Sequence, residues 1–113
     1  MTPSVLVVGA GSIGSRHVRN LVAAGADVSV TDPDAGRAKE TGARVVDDPW
    51  DRAWDGVVVA SPTTAHVAHA RAAATLSQHV LVEKPLGTSV DEVNALLDDA
   101  DVAAFAKAPV RIT

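Results

Sequence analysis

Three glycines, one aspartate and one lysine are the residues of this 113-residue chain whose types and spacing point to chemistry. Gly9, Gly11 and Gly14 stand in "VLVVGAGSIGSRH", a G-x-G-x-x-G pattern that follows an apolar run and opens a helical one. Gly9 permits a tight turn, Gly11 lets backbone approach a pyrophosphate with no side chain between, and Gly14 lets the helix pack close to the strand. The N–H groups at the helix start, those of Ser12 and Ile13 among them, then face the anion, helped by the helix dipole. Asp32 ends the next apolar run about 20 residues on, where a carboxylate can accept from both ribose hydroxyls of an adenosine half. Capping of the following helix is the other role for Asp32, and the two are compatible. An acid at this position repels a 2′-phosphate, so NAD is expected over NADP. Arg37 tempers that preference, because a guanidinium nearby can accommodate the phosphate.

These residues need elements that bring them to one edge. Short β-branched runs alternate with helical patterns, and strands are expected at Val5 to Val8, Val28 to Thr31, Arg44 to Val46, Val57 to Ala60, Val80 to Val82 and Val102 to Phe105. The continuous apolar character of three of them fits a parallel sheet covered on both faces. A first helix after Gly11 places Gly14, Val18, Leu21 and Val22 on its inner face and stops at Gly25. A second starts at Asp32 or Pro33. A third runs from Thr64 to Leu76 with Val67, Ala70 and Ala74 inward, and a fourth starts at "SVDE" with the spacing of a capping box. Right-handed crossovers then favour an α/β fold of three layers, a doubly wound parallel sheet of Rossmann type in the order 3-2-1-4-5-6. The expected organisation is one dinucleotide-binding domain over residues 1–106 and a tail over 107–113, with no second domain.

All carboxyl ends of a parallel sheet lie on one side, where ligands bind. The glycine turn, Asp32, "ASPTTAH" after the fourth strand and "EKP" after the fifth are therefore expected to face one cleft. Ser61, Pro62 and Thr63 form a stiff polar turn suited to the nicotinamide-ribose side. His66 and His69, at i and i+3, are read as polar residues on an exposed helix face; with no third ligand nearby, no metal is expected. His17 is read as a packing or capping residue.

Composition narrows the classes. The net charge of −4 comes without a basic run or stripe, so nucleic acid is not an expected partner. The absence of cysteine rules out disulfides, thiolate metal sites and a cysteine nucleophile. The start "MTPSVLVVGAGSIG" lacks a basic leader and its apolar run is short, so no membrane segment is expected and a soluble cytoplasmic protein is the default. Hydrophobic residues make up 47% of the chain and aromatic ones only 3%, which suits helices packed closely on a Val-rich sheet better than a β-sandwich.

Three segments, "VVGAGSIGSRHVRNL", "VVVASPTTAHVAHARAA" and "HVLVEKPLGTS", resemble the N-terminal part of the Gfo/Idh/MocA family of oxidoreductases. The resemblance implies cofactor contacts from Gly9, Gly11, Gly14, Asp32, Ser61, Pro62 and His66. It implies that Lys84 is catalytic, reaching the hydroxyl of the reacting carbon, with Glu83 beside the cofactor holding the strand tip and Pro85 fixing the turn. It also implies an NAD(P)-dependent reaction at a hydroxyl or carbonyl of a sugar, cyclitol or nucleotide-sugar, and "GSIGSRHVRNL" points toward enzymes of polysaccharide or nonulosonic-acid synthesis. Family members carry a further α/β domain that holds the substrate, and the chain departs from the family's pattern at "AAFAKAPVRIT". Low or absent turnover is therefore expected of the chain alone. The alternative is a non-catalytic NAD(H)-binding or subunit-docking module. A methyltransferase shares the glycine turn and the acid but leaves "EKP" unexplained, and a purely structural role is the remaining reading. An uncovered apolar face and the β-prone "VRIT" predict self-association to a homo-oligomer.

Overall fold

The structure, a computed structural model, describes residues 2–99 and 110–112. Strands β1 (Ser4–Val8), β2 (Asp27–Thr31), β3 (Arg44–Val45), β4 (Trp54–Val59), β5 (Ser77–Val82) and β6 (Val110–Ile112) form one parallel sheet in the order β3-β2-β1-β4-β5-β6. This is the expected doubly wound order. The strand expected at Val102 to Phe105 lies outside the described residues. Sixth place in the sheet is taken by Val110–Ile112, from the segment expected to be a tail, with Val80, Leu81 and Val82 opposite Val110, Arg111 and Ile112.

Helices α1 (Ser12–Ala23), α2 (Ala35–Glu40), α3 (His66–Leu76) and α4 (Val90–Leu97) connect the strands. The apolar runs of the strands feed both faces because side chains alternate. On one face Val7, Val28, Val30 and Val58 pack with Val18 of α1 and Ala38 of α2. On the other, Leu6, Val8, Val57, Val59, Val80 and Val82 pack with Val67, Ala70 and Ala73 of α3 and Leu96 of α4. Alanine on the sheet-facing side of α3 lets that helix come close, as the composition suggested.

Two local expectations are corrected. Val22, expected inward, is 56% exposed, because the buried stripe of α1 is the narrower set Gly14 and Val18, flanked by half-buried Leu21. Helix α2 is capped by Asp34, whose side chain accepts from the Arg37 N–H at 3.1 Å, not by Asp32. The capping box of α4 is present: Ser89 Oγ accepts from Glu92 N–H at 3.1 Å, and the Glu92 carboxylate accepts from Thr88 N–H at 2.9 Å.

Both tryptophans serve the sheet rim between β3 and β4. Trp54 opens β4, is 6% exposed, and its Nε1–H donates to the Pro49 carbonyl at 2.8 Å. Trp50 lies in a short 3-10 turn, Pro49–Asp51, against the α3-side core. On the α1 side of the sheet, β4 and β5 border an apolar groove of about 280 Å³ walled by Val5, Leu21, Gly56, Val58, His79 and Leu81. No helix among the described residues is long and apolar enough to cross a membrane.

Candidate functional site

Strand register sets the site. Val8 lies opposite Thr31 and Val59, and Val59 opposite Val82, so four neighbouring strands finish in one row. Gly9, Asp32, Ala60 and Glu83 are the next residues of each strand. Three of these four ends open into a common cleft. A recess of about 250 Å³ is lined by Gly9, Gly11, Ser12, Ile13, Asp32, Arg37, Ala60, Ser61 and Pro62. It adjoins a larger one of about 620 Å³, walled on its far side by Asp47, Asp48, Trp50, Thr64 and His69, and sharing Gly9, Asp32, Ser61 and Pro62 with the first.

Each glycine has its own reason. Gly9 turns at φ +101°, and a Cβ there would come within 2.6 Å of the Ala60 carbonyl oxygen. A Cβ on Gly14 would stand 1.8 Å from the Gly9 carbonyl oxygen, so α1 reaches β1 only because that position has no side chain. Gly11 is different: its φ of −71° suits any residue, and a Cβ would meet nothing within 4 Å. Protein packing therefore leaves Gly11 unconstrained, while the recess it lines is where a side chain would obstruct a ligand. No side chain caps α1 and no acid stands in its first turn, so its leading N–H groups are open to an anion.

The Asp32 carboxylate is fixed from two sides. Oδ2 accepts from the Ala10 N–H and Oδ1 from the Asp34 N–H, both at 2.8 Å. Each oxygen keeps a lone pair for a further donor, as two vicinal hydroxyls would supply. The glycine turn and the acid are thus one hydrogen-bonded unit, and Arg37 lines the same recess. These residues fit a dinucleotide: a bare backbone cradle for its diphosphate and an oriented carboxylate for its ribose.

The tips of β4 and β5 are held by histidines in ways that sequence spacing did not reveal. His66 was expected to contact the cofactor on an exposed helix face, but it is 2% exposed and has no free polar atom. Its Nδ1 lies 2.7 Å from the Pro85 carbonyl oxygen and its Nε2 2.7 Å from that of Ser61. His66 thus ties the turn after β4 to the turn after β5. His69, one turn along, is the residue that reaches the cleft. Its Nδ1 pairs with Ser61 Oγ at 2.8 Å, and its ring lies 6.2 Å from that of Trp50. Burial, and secondarily the charge of His66, hold the His69 pKa below its ordinary 6.5. Among the described residues no three His, Cys, Asp or Glu side chains gather as metal ligands.

Ser61 and Pro62 line the cleft as expected, whereas Thr63 is replaced there by Thr64, because Thr63 starts a 3-10 turn, Thr63–Ala65, that rotates its neighbour into the wall. Glu83 and Lys84 are not among the cleft-lining residues. Glu83 turns toward α1, where its Oε1 accepts from His17 Nε2 at 2.6 Å. Lys84 is exposed at the end of β5. His17, read as a packing residue, is therefore bound to the "EKP" turn across 66 residues of chain.

A parallel sheet of this order, with a glycine turn at a helix start and an acid at the end of β2, defines a dinucleotide-binding domain of the Rossmann class. The sequence also matches, over residues 4–104, the family described as "Oxidoreductase family, NAD-binding Rossmann fold", and the chain belongs to that Gfo/Idh/MocA family. It is 42% identical over 101 residues to inositol 2-dehydrogenase 2 of Saccharopolyspora erythraea, covering 79% of this chain and 30% of that protein. With scyllo-inositol 2-dehydrogenase (NAD(+)) of Bacillus subtilis it shares 34% identity over 101 residues, with the same coverage of 79% and 30%. The solved structure of myo-inositol dehydrogenase from Lactobacillus casei in complex with NAD(H) and myo-inositol matches with TM-score 0.84 at 28% identity, over 99% of this chain and 36% of that one. The chain thus spans about a third of the length of these relatives. These three relatives are inositol dehydrogenases.

Proposed function

We propose that the chain binds NAD(H) across the cleft between the ends of β2, β1 and β4, as the cofactor half of an oxidoreductase acting on a hydroxyl or carbonyl of a cyclitol or sugar. The observation that carries this reading is Gly11, unconstrained by the fold yet lining the recess beside the fixed Asp32 carboxylate. In it the first-turn N–H groups of α1 hold the diphosphate and Asp32 accepts from the adenosine ribose hydroxyls. Trp50 and His69 form the wall available to the base. Ser61 and Pro62 bound the cleft on the side toward β5.

Bound NAD would supply the hydride acceptor. By the family resemblance Lys84 would be the catalytic cation, its ammonium stabilising oxygen charge as hydride leaves. NAD is preferred over NADP, because a 2′-phosphate would meet the Asp32 carboxylate, with Arg37 limiting the discrimination. The relatives' greater length supports a substrate pocket supplied from outside these residues. The same fact supports the second reading, an NAD(H)-binding module without turnover of its own. On either reading the isolated chain should self-associate through the apolar groove beside β4 and β5, and a monomer in sedimentation at high concentration would count against that.

Fluorescence titration with NADH and NADPH tests the cofactor assignment. Asp32→Ala should weaken NADH by roughly 10- to 100-fold, the worth of hydrogen bonds to a charged acceptor, and should weaken NADPH much less. An unchanged ratio of the two affinities would refute the role given to Asp32. Turnover with a cyclitol would favour the first reading, and binding without turnover the second.

A further inference from the structure

Neither recess of the cleft is lined by a residue beyond His69. What the two recesses offer is placed for the adenosine diphosphate portion of a dinucleotide: N–H groups for phosphate, Asp32 for a ribose, and a space of about 620 Å³ beyond it. The two tryptophans beside that space are used differently. Trp54 is 6% exposed and its Nε1–H is satisfied by the Pro49 carbonyl. Trp50 is half-buried, walls the larger recess, and its Nε1–H meets no acceptor among the described residues. An indole with an apolar face and an unused donor at a cleft wall is a stacking surface for a base. The Arg37 guanidinium, which lines the smaller recess, likewise has no carboxylate partner among the described residues.

We infer that ADP itself, with no nicotinamide attached, is a ligand of this cleft that competes with NAD(H), and that Trp50 is the residue that receives its base. The inference rests on the reading of the cleft as a dinucleotide site. Free ADP differs from the same portion of NAD in that its outer phosphate is terminal and carries more negative charge. The open N–H groups at the start of α1, where no acid stands in the first turn, and the unpaired Arg37 suit that extra charge. Both ligands would use Gly11, Asp32 and Trp50, so each excludes the other. Cofactor loading of the chain then depends on the ADP present as well as on NAD(H).

Displacement of bound NADH, followed by its fluorescence, tests this with ADP and nicotinamide mononucleotide as probes. ADP should displace NADH with a Kd within about tenfold of that for NADH, and nicotinamide mononucleotide should fail to displace it at roughly 100-fold higher concentration. Weaker ADP binding than this, or displacement by nicotinamide mononucleotide, overturns the inference. Trp50→Leu keeps apolar contact with the core and removes the stacking surface, so ADP and NADH should weaken by the same factor, roughly fivefold or more. Trp50→Phe, which keeps a ring, should retain most of both affinities. A purely structural Trp50 predicts unchanged affinities in folded Trp50→Leu, and that result, or a loss confined to NADH, refutes the role given to Trp50. If Trp50→Leu does not fold, wild-type tryptophan emission decides: quenching by saturating ADP supports the stacking, and unchanged emission with ADP bound refutes it. Calorimetry with ADP alone is run beside the NADH titration. Absent NADH binding refutes the cofactor reading, whereas NADH binding that ADP does not displace refutes the ADP assignment alone.

Discussion

At the ends of β1 and β2 the cleft is shaped by backbone. Gly9 and Gly14 close the turn because neither carries a side chain, and Asp32 locks it through the Ala10 N–H. At the ends of β4 and β5 the strand tips are held by imidazoles. His66 joins two carbonyl oxygens, His69 takes the Ser61 hydroxyl, and His17 takes Glu83. The first region is built for a ligand to approach main-chain N–H groups, and the second to hold the two strand tips at a set distance from each other. One should therefore fail when atoms are added and the other when atoms are removed.

The largest effect is expected on the glycine side. Gly14→Ala puts a methyl group 1.8 Å from the Gly9 carbonyl oxygen, a backbone atom that cannot yield without lifting α1 off β1. A loss of about 3 kcal/mol or more is expected, large against the usual net stability of a domain. Urea melts check it, and a wild-type midpoint would contradict the packing described. On the histidine side His66→Ala removes the ring that two carbonyls meet in a nearly water-free site, at a cost of roughly 2 to 4 kcal/mol. The same melts read this variant, and an effect below about 0.5 kcal/mol, typical of surface substitutions, would show that His66 is not the tie between β4 and β5.

His69 gives a smaller, pH-dependent effect. Its folded pKa lies below 6.5, so the unfolded chain binds this proton more readily than the folded one. Its contribution to stability is complete above pH 6.5 and is lost as pH falls through the lowered folded value. His69→Gln, which can still accept from Ser61, should narrow the drop in Tm between pH 8 and pH 5. Parallel drops in the two proteins would show that His69 is not the group responsible.

The same division explains what could be read from sequence. Gly9, Gly11, Gly14 and Asp32 work through backbone geometry, which imposes a spacing, and a spacing is visible in one chain. Strand order followed from alternation and handedness for the same reason. The histidine contacts join residues 8, 19 and 66 positions apart, for which no spacing rule exists. His66 and His69 were read together by their i, i+3 interval, yet one is buried and the other lines the cleft. The short 3-10 turn before α3, not the interval, decides which side chain reaches the wall. After the same turn it is Thr64 that lines the larger recess. Val110–Ile112 carried a β-prone composition but no neighbouring pattern to show that it would pair with β5.

The central claim is that the backbone cradle at the start of α1 receives NAD(H), and Gly11→Val tests it most directly. Gly11 has extended backbone that valine can adopt, and a side chain there meets no protein atom within 4 Å. The account predicts an unchanged Tm for the variant without ligand, saturable NADH binding by the wild type, and loss of that binding in Gly11→Val. Undiminished NADH binding by the folded variant, or no binding by the wild type, would contradict it.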